Sequence, residues 1–128
     1  MSIATWCVCF AFLLPYVFVT AAKAGGKGFD NRAPRLYLST LTGWRQRAHW
    51  CQQNSFEGFA PFAFAVLACQ MAGLAQGTVD ALAVGYIVSR VLYGICYVLD
   101  WSTCRSLVWM AGFSITIALF ILPVLLGV

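Results

Sequence analysis

Three stretches of this chain carry no charged residue at all: 1–22, 58–79 and 106–128. A fourth, 81–99, carries only Arg90. Each is close to the length of helix that crosses about 30 Å of hydrocarbon at about 1.5 Å per residue. Composition points the same way. Hydrophobic residues make up 62% and charged residues 9%, against roughly 45–50% and about 25% in an ordinary soluble domain. At 128 residues the chain is one domain, and a soluble domain of that size leaves much of its surface in water. A soluble enzyme, a nucleic-acid-binding domain and a disordered tail are therefore excluded.

Glycines and polar residues punctuate the runs. Gly25, Gly26 and Gly28 end the first, Gly73 to Gly77 mark a tight turn, and Asp100 to Arg105 form a short polar loop. The prediction is an all-α, integral membrane four-helix bundle, a single domain over 1–128. Its helices are expected at roughly 2–22, 46–74, 78–99 and 105–127, with a basic loop at 23–45. The short second connection makes its two helices antiparallel neighbours. Pro15 is expected to kink the first helix, which membrane helices tolerate.

Charge sets the orientation. Six of the eight basic residues (Lys23, Lys27, Arg32, Arg35, Arg45, Arg47) fall within 25 residues, opposed only by Asp30. Lying between two apolar spans, this cluster reads as a cytoplasmic loop, not as a nucleic-acid patch. The loop around Arg105 falls on the same side, and both termini on the other. The first run has no basic segment ahead of it and is long for a cleaved leader, so it is read as a retained span. Of the six cysteines, Cys7, Cys9, Cys69 and Cys96 lie in spans, where a thiol serves as a small hydrophobe. Cys7-x-Cys9 has no histidine or carboxylate beside it, so no metal site is expected. His49, the single histidine, reads as an interfacial residue.

Ionisable groups inside a bilayer are costly and mark function by default. Glu57 and Arg90 are the two here. Arg47, Trp50, Asn54, Glu57 and Pro61 stand at offsets of 0, 3, 7, 10 and 14, one face of a helix. Arg90, Tyr93 and Tyr97, at offsets of 0, 3 and 7, share a stripe on the next helix. Running antiparallel, the two helices bring Glu57 and Arg90 to similar depth, and the two are expected to pair, directly or through a neighbouring subunit. Arg105 and Ser106 open the last span, where a cation and a hydroxyl at a helix N-terminus suit an anion or a thiolate. With Lys23, Arg47, Asn54, Tyr93 and Tyr97 they outline a pocket, cationic at its mouth, for a small polyanionic ligand with a peptide-like body.

These residues resemble a known pattern. Phe29-Asp30-Asn31-Arg32-Ala33-Pro34-Arg35 looks like the Asn/Pro loop of bacterial members of the MAPEG family, the membrane-associated proteins of eicosanoid and glutathione metabolism. Arg47-Ala48, Asn54-Ser55-Phe56-Glu57 and Pro61-Phe62 are similar to that family's Arg-Ala, Asn-x-x-Glu-x-x-x-Pro text. Arg90-Val91-Leu92-Tyr93, Tyr97 and Arg105-Ser106 are similar to its Arg-x-x-[His/Tyr]-x-x-x-Tyr and Arg-Ser. The resemblance implies a homotrimer with glutathione, as co-substrate, between adjacent subunits near the cytoplasmic face. It implies that Arg105 stabilises the thiolate, the general role of a cation beside a reactive sulfur. It further implies that Arg47, Asn54, Glu57, Tyr93 and Tyr97 contact the tripeptide, that Arg90 supports the site, and that Lys23 meets a carboxylate. Short loops suit a bacterial inner membrane.

The function expected is a glutathione-dependent membrane enzyme, a transferase or peroxidase. It transfers glutathione to a lipophilic electrophile or reduces a hydroperoxide, the apolar partner arriving among membrane lipids. Two alternatives stand beside it. One is a non-catalytic lipid-binding protein of the same fold. The other is a small proton-coupled drug exporter using Glu57. The flanking Arg47, Asn54 and Arg90 argue against export, because they make Glu57 a fixed counter-ion and not a proton carrier.

Overall fold

The computed structural model describes residues 1–128, and all of its regular structure is helical. Four helices are long: α1 (Ile3–Lys23), α3 (Gly43–Ala72), α4 (Gln76–Val98) and α5 (Ser102–Leu126). All four are long and apolar enough to cross a membrane. A fifth, α2 (Pro34–Ser39), lies in the basic loop. The sequence predicts only a basic loop over 23–45. A six-residue element is too short to show a helical period, but Pro34 sits at its start, where the missing N–H is no loss. Tyr37, Leu38 and Leu41 fold back against Val19, Ala22 and Ala48.

Helix ends also differ from expectation. α3 starts at Gly43 and α5 at Ser102, each earlier than predicted. Expected starts followed the polarity change, yet Arg and Gln are good helix formers and carry α3 on past the apolar stretch. α3 ends at Ala72, short of the expected 74, because Gly73 takes a left-handed φ of 80° and caps it. Pro15 is fully buried inside α1, which continues through it to Lys23.

α3 and α4 pack against each other. α1 flanks them on one side, mainly against α3, and α5 on the other, mainly against α4. Phe62 of α3 stacks on Tyr86 of α4 with ring centroids 3.8 Å apart, at the centre of the main core. Small residues let the helices approach closely, as membrane bundles require in place of a hydrophobic drive between helices. A Cβ on Gly94 would overlap the ring of Phe18 on α1, and one on Gly112 would lie 2.6 Å from Ser89 Oγ. Gly94→Ala is therefore expected to lower the bundle's stability by about 1–3 kcal/mol through overpacking. Thermal unfolding in detergent measures this, and an unchanged midpoint would mean that Phe18 swings aside freely.

Polar clasps hold both ends. Near the chain start, Asp80 Oδ1 accepts from the Ala4 N–H and from Gln76 Nε2, each at 2.8 Å. Ser2 Oγ accepts from Thr5 N–H at 3.1 Å and from Gln70 Nε2 at 2.8 Å. A carboxylate and a hydroxyl thus satisfy two of the free amides that begin α1, those of Ala4 and Thr5. At the other end, Arg45 Nη1 donates to the Ala22 carbonyl at 3.1 Å, a cation at the C-terminus of α1. The outward faces are apolar: Trp6, Leu13, Val17, Met110 and Val124 are exposed.

Candidate functional site

Two cavities open between α3, α4 and α5. The shallower, about 430 Å³, lies beside the α4–α5 turn. Asn54, Tyr93, Tyr97, Arg105, Ser106 and Trp109 line it. The deeper, about 240 Å³, is lined by Asn54, Glu57, Tyr86, Arg90, Trp109 and Phe120 among others. Asn54 and Trp109 border both, so a polar chamber adjoins a more apolar one.

Helical spacing places the side chains. Tyr86, Arg90, Tyr93 and Tyr97 follow one another at intervals of four, three and four residues along one stripe of α4. Two cations flank the tyrosine pair on this stripe, Arg90 from α4 itself and Arg105 from α5. The Arg90 guanidinium stands 4.2 Å from the Tyr93 ring centroid. Tyr93 meets Tyr97 edge-on at 5.5 Å and 86°. The Arg105 guanidinium stands 4.5 Å from the Tyr97 ring. Each such contact is worth about 0.5–2 kcal/mol and, more to the point, orients the cation.

Arg90 is 5% exposed. Its Nη2 donates to Asn54 Oδ1 at 2.9 Å and to Ser55 Oγ at 3.0 Å. The expected ion pair with Glu57 is not made within the chain. Neutral oxygens one helical turn closer to the α4–α5 end solvate the guanidinium instead. Glu57 lines the same deeper cavity and is exposed there.

Arg105 also sits differently from expectation. It is the fourth residue of α5, and its amide donates to the Trp101 carbonyl at 2.9 Å. Arg105 and Ser106 therefore act through their side chains, because the free amides at the start of α5 belong to earlier residues. The Arg105 side chain is half-buried beside Ser106, the tyrosines and Asn54. A cation with hydroxyl and amide neighbours in a walled cavity can hold an anion or an ionised sulfur.

Two predicted residues stand apart in the single chain. Arg47 donates from Nε and Nη2 to the Val98 carbonyl, at 3.2 and 3.0 Å. It caps the C-terminus of α4, as Arg45 caps α1. Lys23 lies 5.0 Å over the Phe29 ring. Neither lines the two cavities. Conversely, Ser55, Tyr86 and Trp109 are not among the site residues expected from the sequence. Tyr86 extends the Arg90–Tyr93–Tyr97 stripe by one turn and was within reach of that argument. Ser55 neighbours Asn54. Trp109 stands on a helix without polar periodicity, so nothing in its surroundings marked it.

No curated protein and no solved structure matches the chain significantly. The family model described as MAPEG family matches residues 3–125, a span that takes in both cavities and nearly all of the four long helices. With four helices able to cross a membrane and this match across almost its whole length, the chain is an integral membrane protein and belongs to the MAPEG family.

Proposed function

We propose that the protein is a glutathione-dependent membrane enzyme that joins glutathione to a lipophilic electrophile or uses it to reduce a hydroperoxide. The observation that carries this reading is Arg105, oriented over Tyr97 in a polar cavity that adjoins an apolar one. Glutathione is a peptide with two carboxylates, amide groups and one thiol. The shallower cavity offers a guanidinium, two phenols, a hydroxyl and a carboxamide, which fit such a body.

Arg105 stabilises the thiolate, which is the nucleophilic form of sulfur. In transfer, the sulfur forms a bond to the electrophilic carbon and the leaving group departs with the bonding pair. In peroxide reduction, the sulfur attacks the peroxide oxygen, the O–O bond breaks, and an alcohol leaves after taking up a proton. A second glutathione then displaces hydroxide from the oxidised sulfur, giving the disulfide and water. The apolar substrate enters through the deeper cavity, past Trp109.

The working form is a homotrimer. A neighbouring subunit covers the open side of the cavities and supplies cations that one chain does not aim there, Lys23 and Arg47 among them. Glu57, exposed at the deeper cavity, meets its partner across the same interface. The loop 23–45 faces the cytoplasm of a bacterial inner membrane, with both termini on the other side.

Calorimetric titration of glutathione into the detergent-purified protein tests the reading. Saturable binding is expected, and the absence of binding removes the enzyme reading. One observation favours a second function: Pro61, Phe113, Ile117 and Phe120 give part of the deeper cavity's wall an apolar surface that suits an acyl chain. Co-purifying lipid together with glutathione binding but no turnover would identify a lipid-binding member.

A further inference from the structure

Two thiols meet at the turn between α4 and α5. Cys96 Sγ lies 2.8 Å from Cys104 Sγ. Cys96 is buried, Cys104 is exposed, and both are free. The backbone between them is closely held. The Trp101 N–H donates to the Cys96 carbonyl at 2.8 Å, and Asp100 takes a left-handed φ of 61°. Arg47 pins the Val98 carbonyl from α3. At 2.8 Å the two sulfurs already stand close to the disulfide bonding distance of about 2.05 Å.

A metal site does not explain the pair. Structural zinc needs four ligands, and no third histidine, cysteine or carboxylate converges with these two. Nor is packing sufficient, because Cys104 is exposed. The location is also particular. Cys96 directly precedes Tyr97 and Cys104 directly precedes Arg105, the two residues of the cation–π contact at the shallower cavity.

We propose that Cys96 and Cys104 form a redox-active dithiol that reduces small-molecule disulfides and closes to an intramolecular disulfide at the rim of this cavity. The accessible Cys104 loses its proton and attacks one sulfur of the small disulfide. Its Sγ bonds to that sulfur, the small S–S bond breaks, and the released thiolate takes up a proton. Cys96 then attacks Cys104 Sγ. The Cys96–Cys104 bond forms, the mixed disulfide breaks, and the second small thiol leaves with the Cys96 proton. The protein loses two electrons and two protons, and the small disulfide takes them up to become two thiols.

The test uses the reduced full-length protein in detergent, treated with hydroxyethyl disulfide and then with a maleimide, and mapped by mass spectrometry. This probe is not glutathione, so the outcome is independent of whether glutathione binds. Cys96 and Cys104 are expected to lose maleimide labelling together, with a loss of two hydrogens and no retained hydroxyethyl adduct. Cys9, which is also exposed, is the comparison: it is expected to keep its label or a hydroxyethyl adduct, with no loss of two hydrogens. In Cys96→Ser the adduct is expected to persist on Cys104 for want of a resolving thiol. A persistent adduct on Cys104 in the unaltered protein, or full labelling of both thiols after treatment, would overturn the proposal. The result on the unaltered protein decides the matter even if the variant does not fold.

Discussion

Replacing Arg105 with alanine is expected to lower kcat/KM for glutathione transfer to a chloronitroarene by about 10²–10³-fold, the loss typical of removing one group aimed at a charged reacting centre. The fold should survive. The Arg105 side chain is half-buried, and its contact is the face of Tyr97 at 4.5 Å, an interaction worth about 0.5–1 kcal/mol at an accessible site. Its amide bond to the Trp101 carbonyl is backbone and is unaffected by truncation. Activity and stability therefore separate at this position. Arg105→Lys keeps a charge but loses the planar guanidinium that stacks on the ring, so it should recover only part of the rate. A variant that unfolds, or one that turns over normally, would contradict the role.

Arg90 should show the reverse pattern, a large loss of stability. It is buried at 5% exposure, donates to Asn54 and Ser55, and lies over Tyr93. Hydrogen bonds to charged groups contribute about 1.5–3 kcal/mol each, although interhelical bonds in membranes often measure nearer 0.6. Removing the guanidinium also removes the cost of burying it, which offsets part of the loss. Arg90→Met keeps the aliphatic stem and should cost about 2–4 kcal/mol in equilibrium unfolding from mixed micelles, because it takes the donor from the buried Ser55 hydroxyl and the half-buried Asn54 carboxamide. Arg90→Ala adds a cavity and should cost more. If Arg90→Met were as stable as the unaltered protein, the guanidinium would not be holding α3 to α4.

How far these roles could be read from the sequence depended on side-chain length. The four spans were visible because charge is excluded from long segments, a signal that sums over about twenty residues. The stripe on α3 held for its short members: Asn54, Glu57 and Pro61 all line the deeper cavity. It failed for Arg47. Periodicity tells which way a Cβ points, whereas a long side chain places its head several ångströms away. Here the guanidinium goes to the Val98 carbonyl at the end of α4. Arg45 behaves likewise at Ala22. Part of the basic cluster that set the expected orientation thus also closes helix ends.

The relation of Glu57 to Arg90 shows a related limit. Helix direction and offset brought both to one cavity correctly. Which oxygen the guanidinium would choose was a matter of local competition among Asn54, Ser55 and Glu57, and composition does not rank neighbours one turn apart. The α5 wall was harder still. Trp109, Gly112 and Thr116 stand in a charge-free run, so no charge contrast identified the face turned toward the site. The Cys96–Cys104 contact depends on the tight turn at Asp100. Cysteine spacing alone gave no reason to join them.

The central claim is that Arg105 holds glutathione as its thiolate. The most direct measurement is an ultraviolet difference spectrum of the purified protein as glutathione is added, with Arg105→Ala alongside. The account predicts a saturable thiolate absorbance in the unaltered protein and none in the variant. An absorbance of equal size in both would contradict it, as would glutathione binding in the unaltered protein with no thiolate band.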